Sequence, residues 1–137
     1  MQQLNFTQNW NGKLFMDHFG TVRLHNPGKY FAGNTLECSL KNVQLGIITL
    51  PAVRTFKYKD IRDVLAFLDT GRPAHYMAAV LSKMYGQSIA LQPDTLFDHI
   101  VCHYTERNID NQGRLMQEWW SNILEQSKQK EFSYDSV

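Results

Sequence analysis

Between Leu14 and Phe56 the apolar and β-branched residues come in short runs, broken at Asn26-Pro27-Gly28, Gly33-Asn34, Lys41-Asn42 and Gly46. Short alternating runs between turn-forming clusters are the mark of half-buried strands. The pattern predicts strands over residues 21–25, 36–40 and 46–56, the last bent at Pro51, because proline has no amide hydrogen to give to a ladder. At Asp60 the period lengthens. Ile61, Val64, Leu65 and Leu68 follow helical spacing, with Asp60 placed to cap the start and Gly71 to take the left-handed position after the end. A second helix is predicted from Pro73, where proline suits a first turn, to Gly86, with Met77, Val80, Leu81 and Met84 on one stripe. Alternation returns over residues 96–104, a strand bounded by Pro93-Asp94 and Glu106-Arg107-Asn108. Residues 115–125 read as a last helix whose inner face is marked by Met116, Trp119, Trp120, Ile123 and Leu124. The polar tail 127–137 is expected to fray.

The order of strands, two helices, strand and helix specifies a single α+β domain. With 137 residues and 43% apolar positions, one hydrophobic core suffices without disulfide or metal staples. Cys38 and Cys102 stand far apart in apolar settings and read as reduced core thiols. The longest apolar stretch, residues 45–53, is interrupted by Gly46, Thr49 and Pro51 and is too short for a membrane helix. The first residues show no basic segment followed by an apolar one, so a cytoplasmic protein is expected.

A net charge of +1 argues against a protein that coats polyanions through bulk positive charge. The distribution is uneven, however. Through Arg62 there are eight basic residues against three acids, and the remainder holds six against ten. Tyr30, Phe31, Phe56 and Tyr58 interleave with the bases, as aromatics do where nucleobases stack. His99, Cys102 and His103 invite a metal reading. On a strand, His99 and His103 share a face but stand about 13 Å apart at roughly 3.3 Å per residue, and Cys102 points the other way. No metal site and no cofactor motif is expected, since glycine-rich phosphate loops, nucleophile elbows and HExxH are all missing from the chain. In His18-Phe19-Gly20-Thr21-Val22-Arg23-Leu24, Thr21 and Arg23 project from one face of a strand. A hydroxyl beside a five-donor cation suits a phosphate, a carboxylate or a polarised carbonyl. Lys29 and Arg54 are the nearby bases expected to join them.

The Thr21-Val22-Arg23 triplet resembles the Thr-x-Arg motif on the first barrel strand of ASCH-type domains of the PUA-like superfamily. Further landmarks follow in that family's order over residues 13–104: Gly33, Gly46, a helix ending Leu68-Asp69-Thr70-Gly71, a second ending Met84-Tyr85-Gly86, and the closing strand. The resemblance implies a small PUA-like β-barrel with flanking helices, and binding of RNA or a modified nucleoside at the barrel mouth by Thr21, Arg23, Lys29 and Arg54. Some members are amidohydrolases that deacetylate N4-acetylcytidine with a lysine, the motif threonine and an acid after the first helix. On that alternative Thr21 is the nucleophile and Asp69 the acid, while His18 stands where the family has its lysine, a weaker base near neutral pH. A third expectation is an interaction module without ligand chemistry, with Trp119 and Trp120 as the surface for a protein partner.

Overall fold

The longest alternating run in the sequence becomes the longest strand of the structure, a computed structural model that describes residues 1–62, 73–86 and 91–135, excepting the side chains of residues 10, 11 and 129–135. The first three strands are β1 (Gln3–Phe6), β2 (His18–Leu24) and β3 (Thr35–Leu40). β4 (Val43–Lys57) pairs antiparallel with β3 on one side and with β5 (Leu96–Arg107) on the other. Lys41 and Asn42, at φ 49° and 66°, make the two-residue turn between β3 and β4, in which both central residues are left-handed. β2 pairs with β5 in unbroken antiparallel register from His18↔His103 to Leu24↔Phe97. β1 joins β3 in parallel, so the order is β1-β3-β4-β5-β2. The bend expected at Pro51 is a bulge: between Thr49↔His103 and Ala52↔Val101, Leu50 and Pro51 together face Cys102.

The sheet is a curled, open half-barrel, so the small barrel-like fold that the resemblance implies is present but not closed: among the described residues no ladder joins the edge strands β1 and β2. Side chains bridge that gap. Phe6 of β1 packs edge-to-face on Phe19 of β2 with ring centroids 5.8 Å apart, and Phe19 lies 5.7 Å from Tyr104. Inside the curl Leu4, Leu36, Cys38, Leu45, Ile48, Leu50, Ile100 and Cys102 are closed to solvent and join Phe6, Phe19 and Tyr104 in one core. Leu14, on the 3-10 helix Trp10–Phe15, completes this core.

Helix α1 (Ala74–Tyr85), with Pro73 at its cap and Gly86 after its end, packs on the part of the outer face around Val22 and Phe97. Its Met77 and Leu81 pack with Val22 and Phe97 in a second core, while Met84 is left 49% exposed. The helix expected from Asp60 begins differently, since Tyr58–Asp60 is a 3-10 turn, and its body with Asp69 lies outside the described residues. Helix α2 (Ile109–Asp135) starts directly after β5, capped by Asn108, whose Oδ1 accepts the Asn111 N–H at 3.1 Å. Its backbone stays helical through the polar stretch expected to fray, as far as Asp135. The face toward the body carries Gln112, Leu115 and Trp119. Gln112 donates to the Leu45 carbonyl, Leu115 packs against the inner core, and Trp119 meets Phe15 edge-to-face at 5.8 Å. Met116, Trp120 and Leu124, expected on the inner face, are instead 43%, 54% and 49% exposed. Among the described residues no helix is long and apolar enough to cross a membrane.

Candidate functional site

Strand alternation in β2 decides which of the predicted residues share a surface. Phe19, Thr21 and Arg23 stand opposite Cys102, Ile100 and Asp98 of β5, all on the inner face of the curl. His18, Gly20 and Val22 face outward with His103, Val101 and His99. Thr21 is buried, at 3% exposure. Arg23 is half-buried, with its guanidinium carbon 4.5 Å from the centre of the Phe6 ring. Its Nε is shut off from solvent and has no hydrogen-bond partner among the described residues, a costly state for a charged donor.

A second cation reaches the same ring from the 3-10 helix. Lys13 is buried, its Nζ lies 5.6 Å from the centre of Phe6, and it donates to the Gly20 carbonyl at 2.8 Å, one residue before Thr21. Two features set the angle of that helix. Asn9 accepts the Leu14 N–H on its Oδ1 at 2.9 Å, and Gly12, at φ +66°, lies so close to Trp119 that a Cβ there would stand 2.8 Å from the indole.

The turn after β2 supplies the third cation. The amides of Lys29 and Tyr30 donate to the Asn26 carbonyl at 3.1 and 2.8 Å, which seats the Lys29 ammonium 5.4 Å from the centre of the Tyr30 ring. Burial, and then the charge of Arg23, hold that ammonium below the ordinary lysine range. Burial pushes the neighbouring Tyr30 phenol up, against a smaller downward pull from Arg23. Asp98, fully buried opposite Arg23, is engaged elsewhere: Oδ1 accepts from Thr55 Oγ1 at 2.7 Å and pairs with His25 Nδ1 at 2.8 Å, and Oδ2 accepts the Asn26 N–H at 3.0 Å. The carboxylate therefore pins the turn, and among the described residues neither Arg23 nor Lys29 forms an ion pair.

Thr21, Arg23 and Lys29 thus belong to one end of the inner face. Arg54 does not join them. It stands opposite His99 on the outer face, exposed. His18 is also exposed and outward, stacked on His103 with ring centroids 4.2 Å apart, so the structure does not bring it to Thr21. Lys13, through its bond to the Gly20 carbonyl, instead brings a basic side chain to the backbone beside the threonine. Asp69 lies outside the described residues. His99 and His103 face outward, and among the described residues no three metal-ligating side chains gather.

A solved structure of protein EF3133 from Enterococcus faecalis, of the family DUF984, matches this chain with a TM-score of 0.51 at 14% identity. The likeness is one of fold. It covers 65% of this chain and 61% of the neighbour, so the chain spans about three-fifths of that protein's length. No protein-family model matches the chain, and no curated protein matches it.

Proposed function

We propose that the inner face at the β2 end of the half-barrel binds a nucleotide unit, as RNA or as a modified nucleoside carrying phosphate. The observation that carries this reading is the state of Arg23: lying over the Phe6 ring, its Nε buried with no partner among the described residues, beside a Lys29 whose charge is disfavoured by burial and then by Arg23. An anion settled there meets a planar donor fork and relieves the repulsion between two cations. Phe6 and Tyr30 supply the apolar and aromatic surroundings a base requires. The fold likeness to a DUF984 protein agrees with the ASCH-type resemblance of the Thr21-Val22-Arg23 motif. Titration of short single-stranded RNAs, a nucleoside 5′-monophosphate and the parent nucleoside tests the reading. Contact with three phosphates lowers RNA affinity roughly twentyfold between 50 and 200 mM salt, from a slope near −0.7 per phosphate. Arg23→Ala weakens the phosphate-bearing ligands by about tenfold or more, the worth of a charge-assisted hydrogen bond, and the parent nucleoside far less. Equal affinity of wild type and variant for every ligand rules the site out.

A second reading, hydrolysis of an acylated nucleobase, draws on one observation: Lys13 brings a buried amine to the carbonyl next to Thr21. In that reaction Lys13, as its neutral amine, takes the hydroxyl proton while Thr21 Oγ1 attacks the amide carbonyl, and Arg23 or a backbone N–H meets the oxyanion; the intermediate collapses with cleavage of the C–N bond, the proton passes from Lys13 to the leaving amine, and water then hydrolyses the acyl-threonine ester to free the acid and restore the hydroxyl. With N4-acetylcytidine as substrate, Thr21→Ala and Lys13→Met each lower turnover at least about a hundredfold, the usual yield of a positioned proton-transfer group. His18→Ala leaves turnover within about twofold, because an outward side chain takes no part in proton transfer. Loss of activity in His18→Ala with retention in Lys13→Met reverses the assignment, and no turnover by wild type removes the reading.

A further inference from the structure

Two imidazoles meet on the outer face of the sheet, the face that Thr21 and Arg23 turn away from. His18 opens β2 and stands directly opposite His103 of β5. The hydrogen-bond pattern of the ladder fixes how close they come. The Tyr104 N–H donates to the Asp17 carbonyl at 3.1 Å, and at the other end the His25 N–H donates to the Leu96 carbonyl at 3.1 Å. Odd-numbered residues along β2 therefore make the hydrogen-bonded pairs, and His18↔His103 is a pair of the other kind, in which side chains approach most closely. Their rings stack with centroids 4.2 Å apart and planes 20° from parallel. The backbone also fixes one tautomer. A carbonyl oxygen only accepts, so His103 Nδ1, 3.2 Å from that of Asp17, carries the ring proton and leaves the lone pair on Nε2. A backbone carbonyl orients metal-ligating histidines in the same way.

We propose that His18 and His103 together hold a divalent metal ion of the kind that favours imidazole, Zn(II) above all, and that the ion ties β2 to β5. Bonds of about 2.0 to 2.1 Å to a tetrahedral ion set two ring nitrogens roughly 3.4 Å apart. Rings already stacked 4.2 Å apart reach that separation when His18, which is exposed, turns its nitrogen toward His103 Nε2. The chemistry of the pair selects the ion, since imidazole nitrogen suits zinc, nickel and copper, whereas magnesium and calcium take oxygen. Asp17 is engaged by Arg107, and among the described residues no third histidine, cysteine or carboxylate joins the pair. Two protein ligands leave half of a tetrahedral shell to water or to an incoming donor, so the site is open. Its place in the fold gives it leverage: β2 is an edge strand with a ladder on one side alone, and the ion adds a cross-link at the start of that ladder.

Isothermal titration calorimetry of the full chain with zinc chloride, repeated with nickel chloride, tests the site. One ion is expected to bind per chain, and an excess of magnesium leaves it in place. His18→Ala and His103→Ala each raise the dissociation constant at least about tenfold, the cost in metal sites of losing even a group that supports a ligand. The double variant falls little further, because a single imidazole is no chelate and the two losses are one event. Circular dichroism and thermal unfolding without metal check that the variants keep the fold. Hydrogen exchange reads the cross-link: zinc slows exchange of the β2 amides in wild type and not in His18→Ala, since an ion bound only to the paired strands raises the cost of opening them. Absence of binding below about 1 mM overturns the proposal, as does binding that His18→Ala leaves unchanged. Losses that simply add in the double variant describe two independent histidines and overturn it too, and β2 exchange that zinc does not alter overturns the tie between the strands.

Discussion

At Cys38, burial on the inner face raises the thiol from its ordinary 9.0 to about 11, against smaller opposing pulls from the hydrogen bond with Tyr104 and the charges of Arg23 and Lys13. Burial pushes the Tyr104 phenol up as well; its hydroxyl donates to the Leu14 carbonyl at 2.7 Å. Below pH 9 the thiol holds its proton in both the folded and the unfolded chain, and stability does not respond to it. From pH 9 to about 11 the unfolded chain releases the proton while the folded chain keeps it, so the unfolded state binds fewer protons and stability falls as pH rises. Two pH units of difference correspond to a loss of about 3 kcal/mol at most. Urea unfolding between pH 8 and 11 is expected to show a shallower decline for Cys38→Ala than for wild type, and parallel declines contradict the assignment. At this scale alternation in the sequence already paired Thr21 with Arg23, and the same rule separates His18 from Thr21, since residues three apart on a strand face opposite ways. Lys13 was not legible. Its place depends on a 3-10 helix fixed by Asn9 and by Gly12 under Trp119, contacts that local propensity does not encode.

Strands β4 and β5 approach closely at Gly46. It sits at φ +150°, and a Cβ built there would stand 2.1 Å from the Glu106 carbonyl oxygen, backbone that cannot swing aside. The register between β4 and β5 shifts just beyond it, between Ile47 and Ile48. Gly46→Ala is therefore expected to destabilise the protein by about 3 kcal/mol or more, through overpacking and strained backbone together. Gly113, inside α2, meets nothing within 4 Å, so Gly113→Ala should gain about 1 kcal/mol from helix propensity. Thermal unfolding of the two variants checks the contrast, and a tolerated Gly46→Ala contradicts the tight approach. Among elements, the sequence announced β3, β4, β5 and the ends of α1, because turn residues and changes of period mark them. β1 escaped notice: four residues are too few to display a period, and their pairing partner lies more than thirty positions away. The period of α2 was readable, but a helix with two apolar stripes does not say which one the body covers. The Gln112 amide, bonded to the Leu45 carbonyl, shows that it is the more polar of the two.

Across the whole molecule, the curl of the sheet makes the site. It carries the edge strands β1 and β2 toward each other until Phe6 fills the gap, and Arg23 and Lys13 both lie over that ring. The open edge has a consequence for the timing of assembly. β3 and β4 are joined by a two-residue turn and pair locally, whereas β2 takes its ladder from β5, with His25 and Asp98 meeting across 73 positions of sequence. Closing so long a loop carries an entropic cost that a local hairpin avoids, so the central hairpin is expected to form first and β2 to be secured late. Pulse-labelled hydrogen exchange during refolding should find the amides of β3 and β4 protected before those of β2; protection of all three strands at once would speak against this order. During synthesis, β2 leaves the ribosome long before β5 exists to receive it. Thr21 and Arg23 wait unpositioned until nearly the whole domain has been made, and the surface proposed to bind a ligand is one of the last parts of the protein to come into being.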